Sequence, residues 1–348
     1  MADPQPVDPK IVDTNVLREW MDGNDLGSGP LESVEALAGG TQNLLLKFVR
    51  DGRTYVLRRP PEHKRKNSDE TMRREARVLG ALADTDVPHP RLIAAERDVD
   101  VLGAAFYLME PIDGFQATSG LPELHAADPA VRRSMGISFV DAVLALHAVD
   151  PATKDLDGFG RPEGYLERQV PRWQSQLESY NELDGYPGPD LPHLAEIQAF
   201  LEANRPDPSP TGIIHGDYHL ANVMFRPDRG EIAAIVDWEL ATQGDPLIDL
   251  GLIVAFWPEE DGAAGMMSVQ PWDGFPTIDE LVAHYDANSP RSIEALDWYA
   301  VLACYKTGII LEGTHARAFA GKAAKEFGDL LHGTTVGLFE KAGRIIGL

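Results

Sequence analysis

Ile213-Ile214-His215-Gly216-Asp217-Tyr218-His219-Leu220-Ala221-Asn222-Val223-Met224-Phe225 is answered a short way on by Ile232-Ala233-Ala234-Ile235-Val236-Asp237-Trp238-Glu239. In each stretch an apolar, strand-like run delivers polar residues to a turn. The acidic and amide groups so delivered are Asp217, Asn222 and Asp237. Two carboxylates and an amide oxygen are hard ligands of the kind Mg²⁺ takes. One of the carboxylates can also accept a proton from an attacking hydroxyl. Together these groups suit phosphoryl transfer, where catalysis is mostly positioning and charge neutralisation.

The spacing His-x-Asp-x₄-Asn, then a strand and Asp, is that of a kinase catalytic loop and its metal-binding aspartate. In that scheme Asp217 orients and deprotonates the acceptor hydroxyl, while Asn222 and Asp237 hold Mg²⁺ against the phosphates. A surface turn after a strand would also use Asp and Asn, without any chemistry. His215 reads as a structural residue packed under the loop. A zinc pair from His215 and His219 would need a helix, which Gly216 opposes, and no further well-placed ligand completes it.

The chain has 348 residues, 43% hydrophobic and 25% charged, enough for a sizeable core. Its 31 basic against 55 acidic residues leave a formal charge of −24. A chain this acidic should repel nucleic acid and anionic membranes, and both are set aside as partners. The same charge is compatible with a cationic substrate or simply with a solvated acidic surface. The lone Cys304 lies in an apolar run and reads as core packing. Met1-Ala2-Asp3-Pro4-Gln5-Pro6 lacks the basic-then-apolar pattern of a secretory signal, and no apolar run is long enough to span a bilayer. A cytoplasmic protein is therefore expected.

Residues 12–22 have helical spacing. Short strands follow at 33–37, 44–50 and 54–59, with Asp51-Gly52 as a hairpin turn. Asp69 is placed to cap a helix running to about residue 83. Two further strands fall near 92–96 and 104–109. Beyond residue 114 the pattern turns mostly helical, with helices expected from Asp128-Pro129 and at 163–182, 191–204, 246–255, 278–286, 291–312 and 320–345. The fold expected is α+β and bilobal: a small antiparallel-sheet lobe over 1–110 and a larger, mainly helical lobe over 111–348. The stretch 257–276, with Trp272 and Phe275, reads as a lid or a disordered loop.

Gly39, Gly40, Thr41 and Gln42 lie between two strands, where glycine backbone can approach phosphate. Strand alternation puts Val56 and Arg58 on one face; likeness to the kinase scheme implies that Val56 roofs the adenine and Arg58 reaches the α/β-phosphates. Arg58 stands where kinases carry a lysine, and arginine is not its equivalent. Glu75, in the following helix, is its natural partner. Likeness to the kinase scheme implies that Met109, Glu110 and Ile112 form the connector between lobes, with backbone groups of Glu110 and Ile112 meeting the adenine edge.

His215-Gly216-Asp217-Tyr218-His219-Leu220-Ala221-Asn222 with Ile235-Val236-Asp237-Trp238-Glu239 resembles the aminoglycoside phosphotransferase, choline-kinase-like family. The resemblance runs over about 33–320. It implies a protein-kinase-like fold, ATP as co-substrate, Mg²⁺ and a small-molecule hydroxyl acceptor. It also implies that Asp249, in Gly244-Asp245-Pro246-Leu247-Ile248-Asp249-Leu250, braces the catalytic loop. Gly160-Arg161-Pro162-Glu163-Gly164-Tyr165 and Val56-Leu57-Arg58-Arg59-Pro60-Pro61 resemble the phosphotransferase domains related to those fused to acyl-CoA dehydrogenases. That narrower resemblance implies a hydroxyacyl-CoA or other apolar hydroxyl acceptor. An aminoglycoside kinase, a weakly catalytic nucleotide-binding pseudokinase and a metal-dependent hydrolase are the other readings.

Overall fold

A computed structural model of the chain describes residues 12–37, 43–258, 262–264 and 267–348. The glycine turn Gly39, Gly40, Thr41 and Gln42 lies outside the described residues.

The first lobe opens on α1 (Thr14–Gly23), started by Asp13, whose carboxylate accepts the Asn15 and Val16 N–H groups at 2.9 and 3.2 Å. Strands β1 (Glu32–Ala36), β2 (Leu44–Arg50) and β3 (Arg53–Arg59) follow, then α2 (Ser68–Ala81), β4 (Leu92–Glu96) and β5 (Phe106–Met109). They form one antiparallel sheet in the order β1-β2-β3-β5-β4. Asp51 and Gly52 both take positive φ (51° and 71°), the twist that lets a two-residue turn join β2 to β3.

Alternation along the strands divides the sheet. Tyr55, Leu57, Leu46, Phe48 and Leu108 share a core with Leu17 and Met21 of α1, while Val56 and Arg58 line the cleft on the opposite side. Buried Arg50 ties the outer layer together by bonding Asp22 and the Arg18 carbonyl of α1. Asp69 does not cap α2. That helix begins at Ser68, and the Asp69 carboxylate instead accepts Ala105 N–H at 3.0 Å and pairs with Lys64. Met72, Ala76, Val78 and Leu79 of α2 belong to the same core as the second lobe. Arg77 reaches the carbonyls of Asp155 and Asp157 there, so α2 fastens the sheet to the helices.

The second lobe comprises α3 (Glu123–Ala127), α4 (Pro129–His147), α5 (Gln169–Ser179), α6 (Leu194–Ala203), β6 (Gly212–Ile214), β7 (Val223–Phe225), β8 (Ile232–Ile235), β9 (Thr242–Gly244), α7 (Leu247–Phe256), β10 (Ala263–Ala264), β11 (Met267–Ser268), α8 (Ile278–Asn288), α9 (Leu296–Phe319) and α10 (Lys325–Ile345). Asp128 caps α4 and Pro129 occupies its first turn, as their order predicts. α5 starts later than its apolar spacing suggests, because Gly164 sits at φ +63° in a turn. α9 runs well past the expected stop at residue 312. Gly313 lets the Tyr180 ring lie against the helix; a Cβ there would come within 2.5 Å of the Tyr180 hydroxyl.

Cys304 is fully buried in α9, and burial pushes its thiol up to about 11. The described part of 257–276 is packed into the lobe. Trp272 and Phe275 stack at 4.3 Å, Trp257 donates to the Pro276 carbonyl at 3.0 Å, and buried Arg132 binds Asp273 at 2.8 Å. Its aromatic residues therefore do not form a disordered loop.

Candidate active site

Two short antiparallel pairs present the polar turns. β6 pairs with β9, and β7 with β8, so the loop 215–222 and the turn at 236–239 emerge side by side. The Val236 N–H donates to the Asn222 carbonyl at 2.9 Å, which locks one turn to the other. Gly216 takes φ +84°, and a Cβ there would lie 2.8 Å from the Leu240 carbonyl oxygen, so this tight approach requires glycine. Asp237 is held at φ 65°, a left-handed conformation that a non-glycine residue adopts at some cost.

Beneath the loop, His215 is fully buried between Trp238 and Tyr218. Its Nε2 donates to the Val236 carbonyl at 3.0 Å, and its Nδ1 accepts the Asp217 N–H at 3.3 Å. Burial lowers its pKa and favours the neutral ring. With both nitrogens engaged, His215 offers no zinc ligand. Asp249, fully buried on α7, accepts the His215 N–H at 2.7 Å and the Gly216 N–H at 2.8 Å.

On the exposed side, one Asp217 carboxylate oxygen accepts from the Asn222 amide at 2.8 Å, and the other lies 3.4 Å from His219 Nε2. His219 Nδ1 accepts the Ala221 N–H, which places the His219 proton on Nε2 facing Asp217. Burial works to raise the Asp217 pKa. The hydrogen bond from His219, with the positive charge of Lys306 adding to it, outweighs it and brings the carboxyl down to about 2.

Lys306, on α9, donates to the Gly216 carbonyl at 2.8 Å. Burial lowers its pKa, against the raising influence of Asp217 and Asp249.

The upper wall is built on β3 and β5, where Arg58 and Tyr107 are cross-strand neighbours. Arg58 pairs with Glu75 at 2.9 Å and with Asp237 at 3.0 Å, and so spans the two lobes. Tyr107 donates its hydroxyl to Glu75 at 2.7 Å. Burial pushes Glu75 up to about 7 despite its arginine partner, and the raised Arg58 pKa keeps the guanidinium charged.

Between the walls is a cleft of about 490 Å³ lined by Val56, Arg58, Met109, Glu110, Ile112, Asn222 and Asp237, among others. The structure thus gathers the described residues singled out from the sequence. Val56, Arg58, Met109, Glu110, Ile112, Asn222 and Asp237 line the cleft, Glu75 stands behind Arg58, and Asp217, His215 and Asp249 form the adjoining loop and its support. One detail differs: the Glu110 N–H already donates to the Arg91 carbonyl at 2.9 Å and is not free for another partner. The Glu110 side chain turns to Arg53 at 3.1 Å.

Sequence reading missed Lys306, Tyr107 and Glu239, and gave His219 no role. Glu239 presents a ligand oxygen within 4.8 Å of those of Glu75 and Asp237. His219 and Glu239 had a legible signal, both lying inside the quoted motif stretches.

A two-lobed fold with a sheet above, helices below and a carboxylate–amide–carboxylate set at the hinge-side cleft defines a kinase-like phosphotransferase. The family model described as "Phosphotransferase enzyme family" matches residues 33–281, and the chain belongs to that family. Fold and family together make it a small-molecule kinase.

The chain is 31% identical over 304 residues to acyl-CoA dehydrogenase family member 11 of Gallus gallus, covering 84% of this chain and 38% of that protein. It therefore spans less than two-fifths of that relative's length. Among solved structures it resembles a Ralstonia eutropha protein provisionally assigned as an aminoglycoside phosphotransferase, at 29% identity and TM-score 0.77, over 96% of this chain and 99% of that one. The aminoglycoside phosphotransferase APH(4)-Ia, in ternary complex with AMP-PNP and hygromycin B, shares the fold at 16% identity and TM-score 0.55, over 92% and 99% of the two chains. Among the described residues no helix is long and apolar enough to cross a membrane.

Proposed function

We propose that the protein transfers the γ-phosphoryl group of ATP to a hydroxyl of a small molecule in a Mg²⁺-dependent reaction, and that the acceptor is a hydroxyacyl-CoA or another apolar hydroxyl compound. The observation that carries the reaction class is the convergence of Asp217, Asn222 and Asp237 beside the cleft under Arg58.

Asp217 is the base. Its carboxylate is ionised, half-exposed and oriented from two sides, ready to take the acceptor's proton as the hydroxyl oxygen attacks. Asn222 turns its amide nitrogen to Asp217, which leaves its carbonyl oxygen as an acceptor toward the cleft, and Asp237 adds a carboxylate. This all-oxygen donor pair fits Mg²⁺, which would neutralise phosphate charge when bound. Arg58, anchored by Glu75, serves the α/β-phosphates, and Val56 covers the base. The Glu110 carbonyl and the Ile112 N–H serve the adenine edge.

The acceptor assignment draws on the likeness to acyl-CoA dehydrogenase family members. An aminoglycoside acceptor is the second reading, favoured by the Ralstonia eutropha likeness and by the net charge of −24. Measuring ADP formation against hydroxyacyl-CoAs, aminoglycosides and small amino alcohols decides between them. Release that depends on hydroxyacyl-CoA is expected. Aminoglycoside-dependent release would replace the acceptor, acceptor-independent release would indicate hydrolysis, and nucleotide binding without turnover on any acceptor would indicate a pseudokinase.

Two variants test the roles. Asp237→Asn is expected to weaken Mg²⁺–nucleotide binding about tenfold or more by calorimetry, since a ligand charge is lost; unchanged affinity would remove Asp237 from the metal site. Lys306→Met deletes the bond to Gly216 and a cation facing Asp217, and is expected to lower kcat about tenfold with nucleotide affinity unchanged. Steady-state kinetics with a nucleotide titration separates the two effects.

A further inference from the structure

His63-Lys64-Arg65-Lys66 is the longest unbroken run of basic side chains in a chain whose formal charge is −24. It lies in the loop between β3 and α2, and nothing in the phosphoryl-transfer scheme uses it. The loop walls a second cavity of about 430 Å³, lined by His63, Arg65, Asn67, Ser68, Glu239 and Leu240 among others. Asn43 and Glu239 line both this cavity and the cleft under Arg58, so the two adjoin. Leu240, 47% exposed, packs its backbone on Gly216, the residue before Asp217. The cavity therefore meets the cleft beside the reacting groups, without being lined by Arg58, Asn222 or Asp237. We propose that it holds the phosphate groups of the acceptor's coenzyme A portion, an assignment that rests on the hydroxyacyl-CoA reading above.

The loop has a fixed form. Arg65 N–H donates to Ser68 Oγ at 3.0 Å, and Ser68 N–H donates back to the Arg65 carbonyl at 3.1 Å. Lys64 is anchored by Asp69 at 2.6 Å and by the Gly103 carbonyl at 3.0 Å. Pro60 and Pro61 stiffen the approach from β3, since the proline ring locks φ. Lys64 thus fastens the loop, and Arg65 stands on the cavity wall. The acids of the same stretch are engaged elsewhere: Asp69 also accepts Ala105 N–H at 3.0 Å, and Glu70 pairs with Arg73 at 3.5 Å. Among the described residues Glu239 is the only acid that lines the cavity, and the Arg65 charge acts on it.

This lining suits a phosphate ester. A guanidinium donates two parallel hydrogen bonds to phosphate oxygens and stays charged across the working pH range. Asn43 and Asn67 carry amide donors, and Ser68, whose oxygen accepts from Arg65, has its own proton to give. Thr71 differs, because its hydroxyl donates to the Asn67 carbonyl at 3.2 Å. Leu240 and Pro61 are the apolar residues of the wall, so an acyl chain gains less here than a charged group does. The volume falls within the roughly 300–1,000 Å³ of small-molecule sites. A polycationic aminoglycoside would meet like charge at Arg65, so the pocket discriminates between the two acceptor readings.

The test keeps the cleft filled, so that the adenine of coenzyme A cannot occupy it. The full chain, saturated with Mg²⁺ and AMP-PNP, is titrated calorimetrically with free coenzyme A and with pantetheine, which lacks the phosphates. One equivalent of coenzyme A is expected to bind, and pantetheine at least about tenfold more weakly. Arg65→Glu is expected to weaken coenzyme A binding about tenfold or more. Arg65 is exposed, and a melting curve checks that the variant keeps its fold. In steady-state kinetics the variant is expected to raise KM for a hydroxyacyl-CoA about tenfold more than KM for the matching hydroxyacyl-pantetheine. Coenzyme A that fails to bind, or that binds wild type and Arg65→Glu equally, overturns the pocket even where hydroxyacyl-CoA is turned over. Arg65-dependent binding of coenzyme A without turnover of any hydroxyacyl-CoA would retain the pocket and overturn the acceptor reading instead.

Discussion

Asp217→Asn is expected to lower turnover roughly 10²–10⁴-fold, with nucleotide affinity close to that of the wild type. The amide has the shape of the carboxylate but cannot accept the acceptor's proton. Asn222 donates to the Asp217 carboxylate at 2.8 Å and also to its backbone carbonyl at 2.9 Å, so the loop keeps one of these bonds in the variant. The wild-type carboxyl sits at about 2, below its ordinary 3.8, so it is ionised across the neutral range. Loss of activity in mild acid would therefore come from another group. The sign for stability follows from the same shift. A depressed native pKa stabilises the fold above the unfolded value, and that contribution fades as pH falls toward 2. Exposure of the side chain keeps it small. Near-normal turnover in Asp217→Asn, measured by coupled ADP release, would remove Asp217 as the base.

Asp249→Ala is expected to damage both stability and catalysis. The carboxylate is fully buried and accepts two backbone N–H groups, from His215 and Gly216, with His147 Nε2 at 3.5 Å. No water replaces it easily, and each buried donor left unpaired costs about 1–3 kcal/mol. A loss of about 3 kcal/mol or more is the result, read as a lower urea midpoint at unchanged slope. Turnover of the folded fraction should also fall, about 10²-fold, because the two N–H groups set the position of the residue just before Asp217. Asp249→Asn keeps one acceptor and should fall between. A large stability loss with full activity per folded molecule would make Asp249 a structural residue alone.

The fold and the motif were legible for local reasons. Alternating apolar residues around Asp51-Gly52 predict a hairpin because strand period and turn chemistry are properties of adjacent residues. Asp217 and Asn222 are five residues apart, and one loop conformation orients both. Asp237 was readable because a strand leads directly into its turn.

Groups that arrive from far along the chain were not readable. Lys306 reaches the Gly216 carbonyl from a helix 90 residues on, and nothing near it in the chain marks it. Tyr107 is set beside Arg58 by the pairing of β3 with β5, and meets Glu75 only because α2 packs across that sheet. β9 is three residues long and exists only because β6 pairs with it.

Gly313 shows the same divide within one helix. Read alone it weakens a helix, since glycine has more backbone freedom to lose. In the folded protein its missing side chain is what admits Tyr180, and the helix continues. Strand positions and loop chemistry follow from short-range pattern, so they could be read from residue order, whereas the β1-β2-β3-β5-β4 order could not. The support under Asp217, the arginine that spans the lobes and the pocket where the loop before α2 meets Glu239 depend on which distant surfaces pack together. Only tertiary packing decides that, because the free energy of those contacts comes from burial shared between segments that are remote in the chain.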